Sequence, residues 1–246
     1  LLHNSKSNLF PDGLGNTSGH LGRNYMRHAM NLTLAIMPGE VNFHRGTRQS
    51  GLILDEQRHD TARGFAGGYL IETVADQPWG IASYIGGWGE ETAEFVESYP
   101  NMAGCWITGE DPPQADNRIT FHATERDAYG LPVPVVTYSD HPNSEAMRKH
   151  AAQRCSALYE SLGAKRIRNV ANAGGGCHNM GVARMSERPA DGVTNRFGRV
   201  HDIPNLFVSD GSLFSSSAAP NPTLTIVALA IRQVEHIANS MNRREL

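Results

Sequence analysis

Three stretches near the C-terminus constrain this chain more than anything else in it. They are Gly174-Gly175-Gly176-Cys177-His178-Asn179-Met180-Gly181-Val182-Ala183-Arg184-Met185, then Asn205-Leu206-Phe207-Val208-Ser209-Asp210-Gly211-Ser212, then Ala219-Pro220-Asn221-Pro222-Thr223-Leu224-Thr225. Glycines beside His178 leave the backbone compact, so the imidazole can face a cavity instead of packing in a core. Leu206-Phe207-Val208 reads as a strand that ends in an Asp210-Gly211 turn. Asn221 before Pro222 reads as a helix start, because Asn is a favoured N-cap and the fixed φ of proline suits the first helical position. Leu224, Val227, Ile231 and Val234 follow one stripe of that helix.

What precedes this block matters as much. No Gly-x-Gly-x-x-Gly stands before it, so the usual strand–turn–helix cradle for a dinucleotide pyrophosphate is missing. The 246 residues suffice for one large domain or two small ones. Hydrophobic residues at 39% and charged residues at 19% fit a folded globular chain and argue against disorder. A net charge of −3 gives no electrostatic reason to expect nucleic acid or an anionic membrane as partner. The eleven histidines are scattered without metal-ligand spacing, so no zinc site is expected. Cys105, Cys155 and Cys177 read as free thiols rather than a disulfide framework. No apolar run is long enough to span a bilayer, and the compartment is left undetermined.

Residues 1–30 read as the end of a strand, a Gly/Asn/Ser loop, and a short segment around Leu21 to His28. Residues 31–138 carry strand signals at Leu32–Met37, Gly68–Val74, Arg118–His122 and Leu131–Tyr138, and point to a multistranded antiparallel sheet. Gly86–Gly89 and Glu90–Ser98 suggest a loop and a short helix. Residues 143–162 predict a helix capped by Asn143 or Ser144, with Met147, Ala151, Cys155, Leu158 and Leu162 on one face and Gly163 at its C-terminal cap. Trp79, Trp88 and Trp106 read first as core, with a sugar pocket as the alternative. His20, His28 and His44 have no spacing that demands a site, and His201 reads as structural.

His178-Asn179-Met180-Gly181-Val182-Ala183-Arg184-Met185 resembles the His-x-x-Gly-Thr-x-Arg-Met motif of the glucose–methanol–choline (GMC) oxidoreductases. Val182 stands where Thr is common, and Ser186 where Gly is common. The Asn195–Leu206 stretch, the Asn-Pro-Thr-Leu-Thr helix start and the spacing from His178 to Asn221 are similar to the family's, most of all in the branches that oxidise sugars and glycosides. Leu21-Gly22-Arg23-Asn24, Asn117–Thr120 and Asp127–Val133 also resemble family segments.

The resemblance implies an α+β fold. Residues 31–169 would form a substrate domain, an antiparallel sheet backed by helices. Residues 1–30 and 170–246 would belong to the C-terminal portion of an FAD-binding α/β domain whose nucleotide-binding half lies elsewhere. It implies oxidation of a CH–OH group of a sugar or glycoside, with hydride transfer to flavin N5. His178 would act as base and Asn221 would hold the hydroxyl. Asp210, Gly211, Asn221, Pro222 and Thr223 would contact FAD, with the dipole of the Pro222 helix facing the reduced ring. An N-terminal FAD-binding segment or subunit is the expected partner. The alternative is a truncated chain that binds a partner but no flavin.

Overall fold

The computed structural model describes residues 1–173 and 177–246; the three glycines beside His178 lie outside the described residues. Its centre is a five-stranded antiparallel sheet in the order β2-β3-β4-β1-β7. The strands are β1 (Ala29–Ile36), β2 (Leu52–Ile53), β3 (Tyr69–Thr73), β4 (Met102–Gly109) and β7 (Arg166–Ala171). Strand β1 pairs with β4 from Ala29↔Gly109 to Ile36↔Met102 and with β7 from Asn31↔Ala171 to Ile36↔Arg166. Every residue of β1 is buried, as expected of a strand covered on both faces.

Alternation along β1 separates two apolar layers. Met30, Leu32, Leu34 and Ile36 pack with Met102, Trp106 and the buried residues of helices α1 (Pro78–Ile85) and α2 (Glu90–Glu97). Ala35 on the other face packs with Tyr69, Ile71, Ile107 and helix α3 (Pro142–Ser161). The buried stripe of α3 runs through Met147, Ala151, Cys155 and Tyr159. Leu158 and Leu162, expected in that stripe, are exposed because the helix turns Tyr159 inward instead. Its N-cap is His141, whose Nδ1 accepts from the Asn143 N–H at 3.0 Å, rather than Asn143 or Ser144. Gly163 adopts φ +80° just past the helix end, as expected.

Strands β5 (Arg118–Arg126) and β6 (Pro132–Thr137) form a separate two-stranded ribbon. The sheet expected to include them is instead completed by β4 and β7, which were not anticipated. Strand β7 runs across residue 169/170, where the domains were expected to divide. Residues 1–10 contain a 3-10 turn at Leu2–Asn4 and no strand. Trp106 is core, whereas Trp79 and Trp88 stand exposed on and beside the short helices.

Residues 177–222 form loops joined by single β-bridges, and Leu206–Val208 contributes one bridge, Arg199↔Phe207, not a full strand. Helix α4 (Thr223–Asn242) closes the chain. Its buried side is polar: Gln233 donates from Nε2 to the carbonyls of Phe197 (3.0 Å) and Val208 (2.7 Å), and His236 stacks on Phe197 with ring centroids 3.9 Å apart. The apolar stripe of Leu224, Val227, Ile231 and Val234 faces outward, exposed by 49–81%.

Candidate active site

Two short segments distant in sequence run antiparallel beside the sheet. Met26 and Met180 exchange both backbone hydrogen bonds at 2.9 Å, and His28 donates from its backbone N–H to the Cys177 carbonyl at 3.4 Å. Two residues on from Met26 and two back from Met180, the pairing sets His28 opposite His178. Their Nδ1 atoms are 3.1 Å apart and their rings meet edge to face, with centroids 4.9 Å apart. Cys177 Sγ lies 3.5 Å from the same Nδ1 of His178, and its thiol is directed at Met30 Sδ, 4.0 Å away. Asn179 accepts at Oδ1 from the Tyr25 hydroxyl at 2.5 Å.

The backbone here departs from ordinary geometry. His178 has φ +63° and Val182 has φ +71°. A β-branched residue in the left-handed region is an outlier, and such strain clusters at functional sites. Gly181 carries φ +82° and touches the Asn24 carbonyl so closely that a Cβ would fall 2.1 Å from it. The Gly181, Ala183 and Met185 N–H groups bond the carbonyls of Gly211, Ser212 and Leu213, which fastens the Asp-Gly turn to the histidine segment. Asp210 caps the 3-10 turn Gly211–Leu213 by accepting from Ser212 N at 2.8 Å.

Burial holds the His178 imidazole below its ordinary value, and the carboxylate of Glu72 pulls it partly back. Burial first, then the charge of His178, push His28 from 6.5 down to about 4; the Ala218 backbone opposes them. Glu72, on β3, is buried and accepts from Gln49 Nε2 at 2.5 Å. It lines a pocket of about 610 Å³ together with Gln49, Ser50, Leu70, Pro220 and Asn221. Thus His178 lies within electrostatic reach of Glu72, and Asn221 shares a pocket wall with it.

Asn221 is exposed and makes no cap: Pro222 is the N-cap of α4, and no side chain bonds the first-turn N–H groups. The segment leading to it is anchored at Ser217, whose Oγ accepts from Asp111 N at 2.6 Å and donates to Asp111 O at 3.0 Å. The buried Asp111 also accepts at Oδ2 from Arg27 N (3.2 Å) and the Tyr138 hydroxyl (3.1 Å), and at Oδ1 from Ser144 Oγ (3.0 Å). Burial raises its carboxyl above the ordinary range. Asp111, two residues past the end of β4, therefore joins the His28 segment, Tyr138 and α3 through its carboxylate and the approach to Asn221 through its backbone. Sequence reading singled out neither Asp111 nor Glu72, and found no spacing to place His28 in a site; their proximity exists only once the sheet is formed.

Residues 113–230 match a family model described as GMC oxidoreductase. The chain belongs to the GMC oxidoreductases. These are FAD-binding enzymes, and the chain corresponds to their C-terminal portion. It is similar to 2-methyl-1,2-propanediol dehydrogenase of Mycolicibacterium austroafricanum, at 32% identity over 97% of this chain and 45% of that protein. It is also similar to the fructose dehydrogenase large subunit of Gluconobacter japonicus, at 32% identity over 62% of this chain and 27% of that one. Among solved structures, pyridoxine 4-oxidase from Mesorbium loti shares the fold with a TM-score of 0.60 at 15% identity, covering 89% of this chain and 44% of that chain. The chain thus spans less than half the length of these relatives. No helix among its described residues is long and apolar enough to cross a membrane.

Proposed function

We propose that this GMC chain forms the substrate-facing, C-terminal part of an FAD-dependent enzyme that oxidises a CH–OH group of a sugar or glycoside to a carbonyl. The observation that carries the reading is the strained, half-buried His178 within electrostatic reach of Glu72, which lines a pocket that Asn221 also lines. A histidine held below its ordinary value is uncharged at neutral pH and ready to take a proton. His178 accepts the substrate hydroxyl proton, Asn221 holds the hydroxyl oxygen, and Gln49 and Glu72 meet further hydroxyls.

The residues present fit a flavin. The first-turn N–H groups of α4 lack a side-chain cap, Thr223 is exposed, and such a helix end favours negative charge. Bound there, FAD supplies the hydride acceptor. Asp210, Gly211, Asn221, Pro222 and Thr223 would hold it. An N-terminal FAD-binding segment or subunit, supplying the pyrophosphate contacts, packs on residues 1–30 and 170–246; the outward apolar stripe of α4 supports this.

In the intact protein, His178→Ala is expected to slow flavin reduction by substrate about 10²–10⁴-fold while flavin content, read from the visible spectrum, is unchanged. Reduction at the wild-type rate would remove His178 from this role. A purified protein with no flavin absorbance would remove the oxidoreductase reading itself.

A further inference from the structure

We propose that His28 is a positioning residue: its Nδ1 accepts a hydrogen bond from His178 Nδ1–H, which locks the His178 ring and leaves its Nε2 as the lone pair that takes the substrate proton. The role rests on His178 being the base, and adds the device that selects which ring nitrogen acts.

Two neutral imidazoles with Nδ1 atoms 3.1 Å apart must share one proton between them, so one ring donates and the other accepts. The surroundings of His28 decide the direction. The ring is fully buried, its Nε2 has no partner of ordinary hydrogen-bond geometry, and the Ala218 backbone lies where it favours a ring proton. With Nδ1 turned to His178, the ring nitrogen left to carry the proton that this backbone favours is Nε2. His28 therefore carries its proton on Nε2 and presents the Nδ1 lone pair to His178. The Cys177 contact agrees: the thiol points at Met30 Sδ, so sulfur lone pairs face the same Nδ1–H.

With Nδ1 protonated, His178 has only Nε2 left to accept. When that nitrogen takes the hydroxyl proton, Nδ1–H still donates to His28, so the imidazolium keeps its pose and no bond is broken. Burial resists a charge on His28, which keeps the proton on His178. A carboxylate in the place of His28 would also fix the tautomer but would raise the basicity of the ring; a neutral imidazole orients without doing so.

The test is the ring ¹⁵N spectrum of histidine-labelled intact protein near neutral pH, with the His178 signals assigned by their loss in His178→Ala. The expected spectrum shows His178 protonated at Nδ1 and bare at Nε2. His178 bare at Nδ1 in the wild type would overturn the proposal with no variant needed. In His28→Phe the Nε2–H form should gain, and flavin reduction should slow about 10–100-fold, the range lost with outer hydrogen-bond partners of oriented imidazoles. His28→Asn, whose Oδ1 can accept the same bond, should restore the Nδ1–H form and most of the rate. If His28→Phe and His28→Asn share one spectrum and one rate, His28 has only a packing role. Failure of the base assignment looks different: His178→Ala would then reduce flavin normally while the wild-type tautomer stayed as expected.

Discussion

At the scale of single residues, the site is a set of groups held where water or ordinary backbone geometry would not leave them. His28 is the clearest case, since its folded value of about 4 lies below the ordinary 6.5. The unfolded chain therefore binds a proton on this ring more readily than the native one. Stability from His28 is fully present above pH 6.5 and is lost as pH falls toward 4, where the loss levels off. The loss amounts to about 3 kcal/mol on the usual conversion of pKa difference to free energy. His178, His3 and His20 are displaced in the same direction, each by burial first, so they add to the trend. Urea unfolding at pH 7.5 and pH 4.5 should show the native protein weaker at the lower pH, and His28→Phe should flatten that dependence. A midpoint independent of pH across this window would contradict the buried, neutral His28.

At the scale of elements, packing sorts the residues that periodicity could only nominate. The helix over residues 143–162 was legible because a three-four spacing of apolar residues has few alternatives, and Gly163 marked its end. Its register was not: Leu158 and Tyr159 compete for the same face, and only the sheet beneath α3 selects the tyrosine. Met147→Ala should destabilise the fold by about 2–5 kcal/mol, since Met147 is fully buried between α3 and the sheet. Leu158→Ala should stay within about 0.5 kcal/mol, as exposed positions do. Denaturant midpoints of the two variants decide between the expected and observed registers. Strand β4 was missed because Met102–Gly109 mixes glycines with Cys105 and Trp106 and shows no alternation; buried on both faces, it has no reason to alternate. The motif residues His178, Asp210, Gly211 and Asn221 could be nominated from their sequence context. Glu72 and Asp111 were not, because a carboxylate becomes informative only when the fold buries it beside particular neighbours.

At the scale of the whole molecule, α4 is built the opposite way round from an ordinary surface helix. It meets its own chain through Gln233 and Ser240 and offers Leu224, Val227, Ile231 and Val234 to whatever lies outside. Residues 1–246 expressed alone should therefore self-associate and bind FAD weakly, and Ile231→Glu with Val234→Lys should shift them toward monomer in size-exclusion chromatography. A stable wild-type monomer that binds FAD tightly would argue against a partner segment on this face.

The pairing of Met26 with Met180 has one more consequence. The contact between His28 and His178 closes a loop of 150 residues, which contains the entire sheet and α3. Joining ends so far apart is favoured only after the intervening chain has become compact, because the entropy lost on closure grows with loop length. Within the sheet, β1 and β7 close nearly the same loop, Asn31 pairing with Ala171, and the histidine pair can only extend that pairing once it has formed. On heating, the same order runs backward. The two segments that carry the histidines, joined to each other by few backbone bonds, come apart in a local opening while the sheet remains intact. On the role proposed for His178, activity is expected to be lost at a lower temperature than the one at which the protein unfolds.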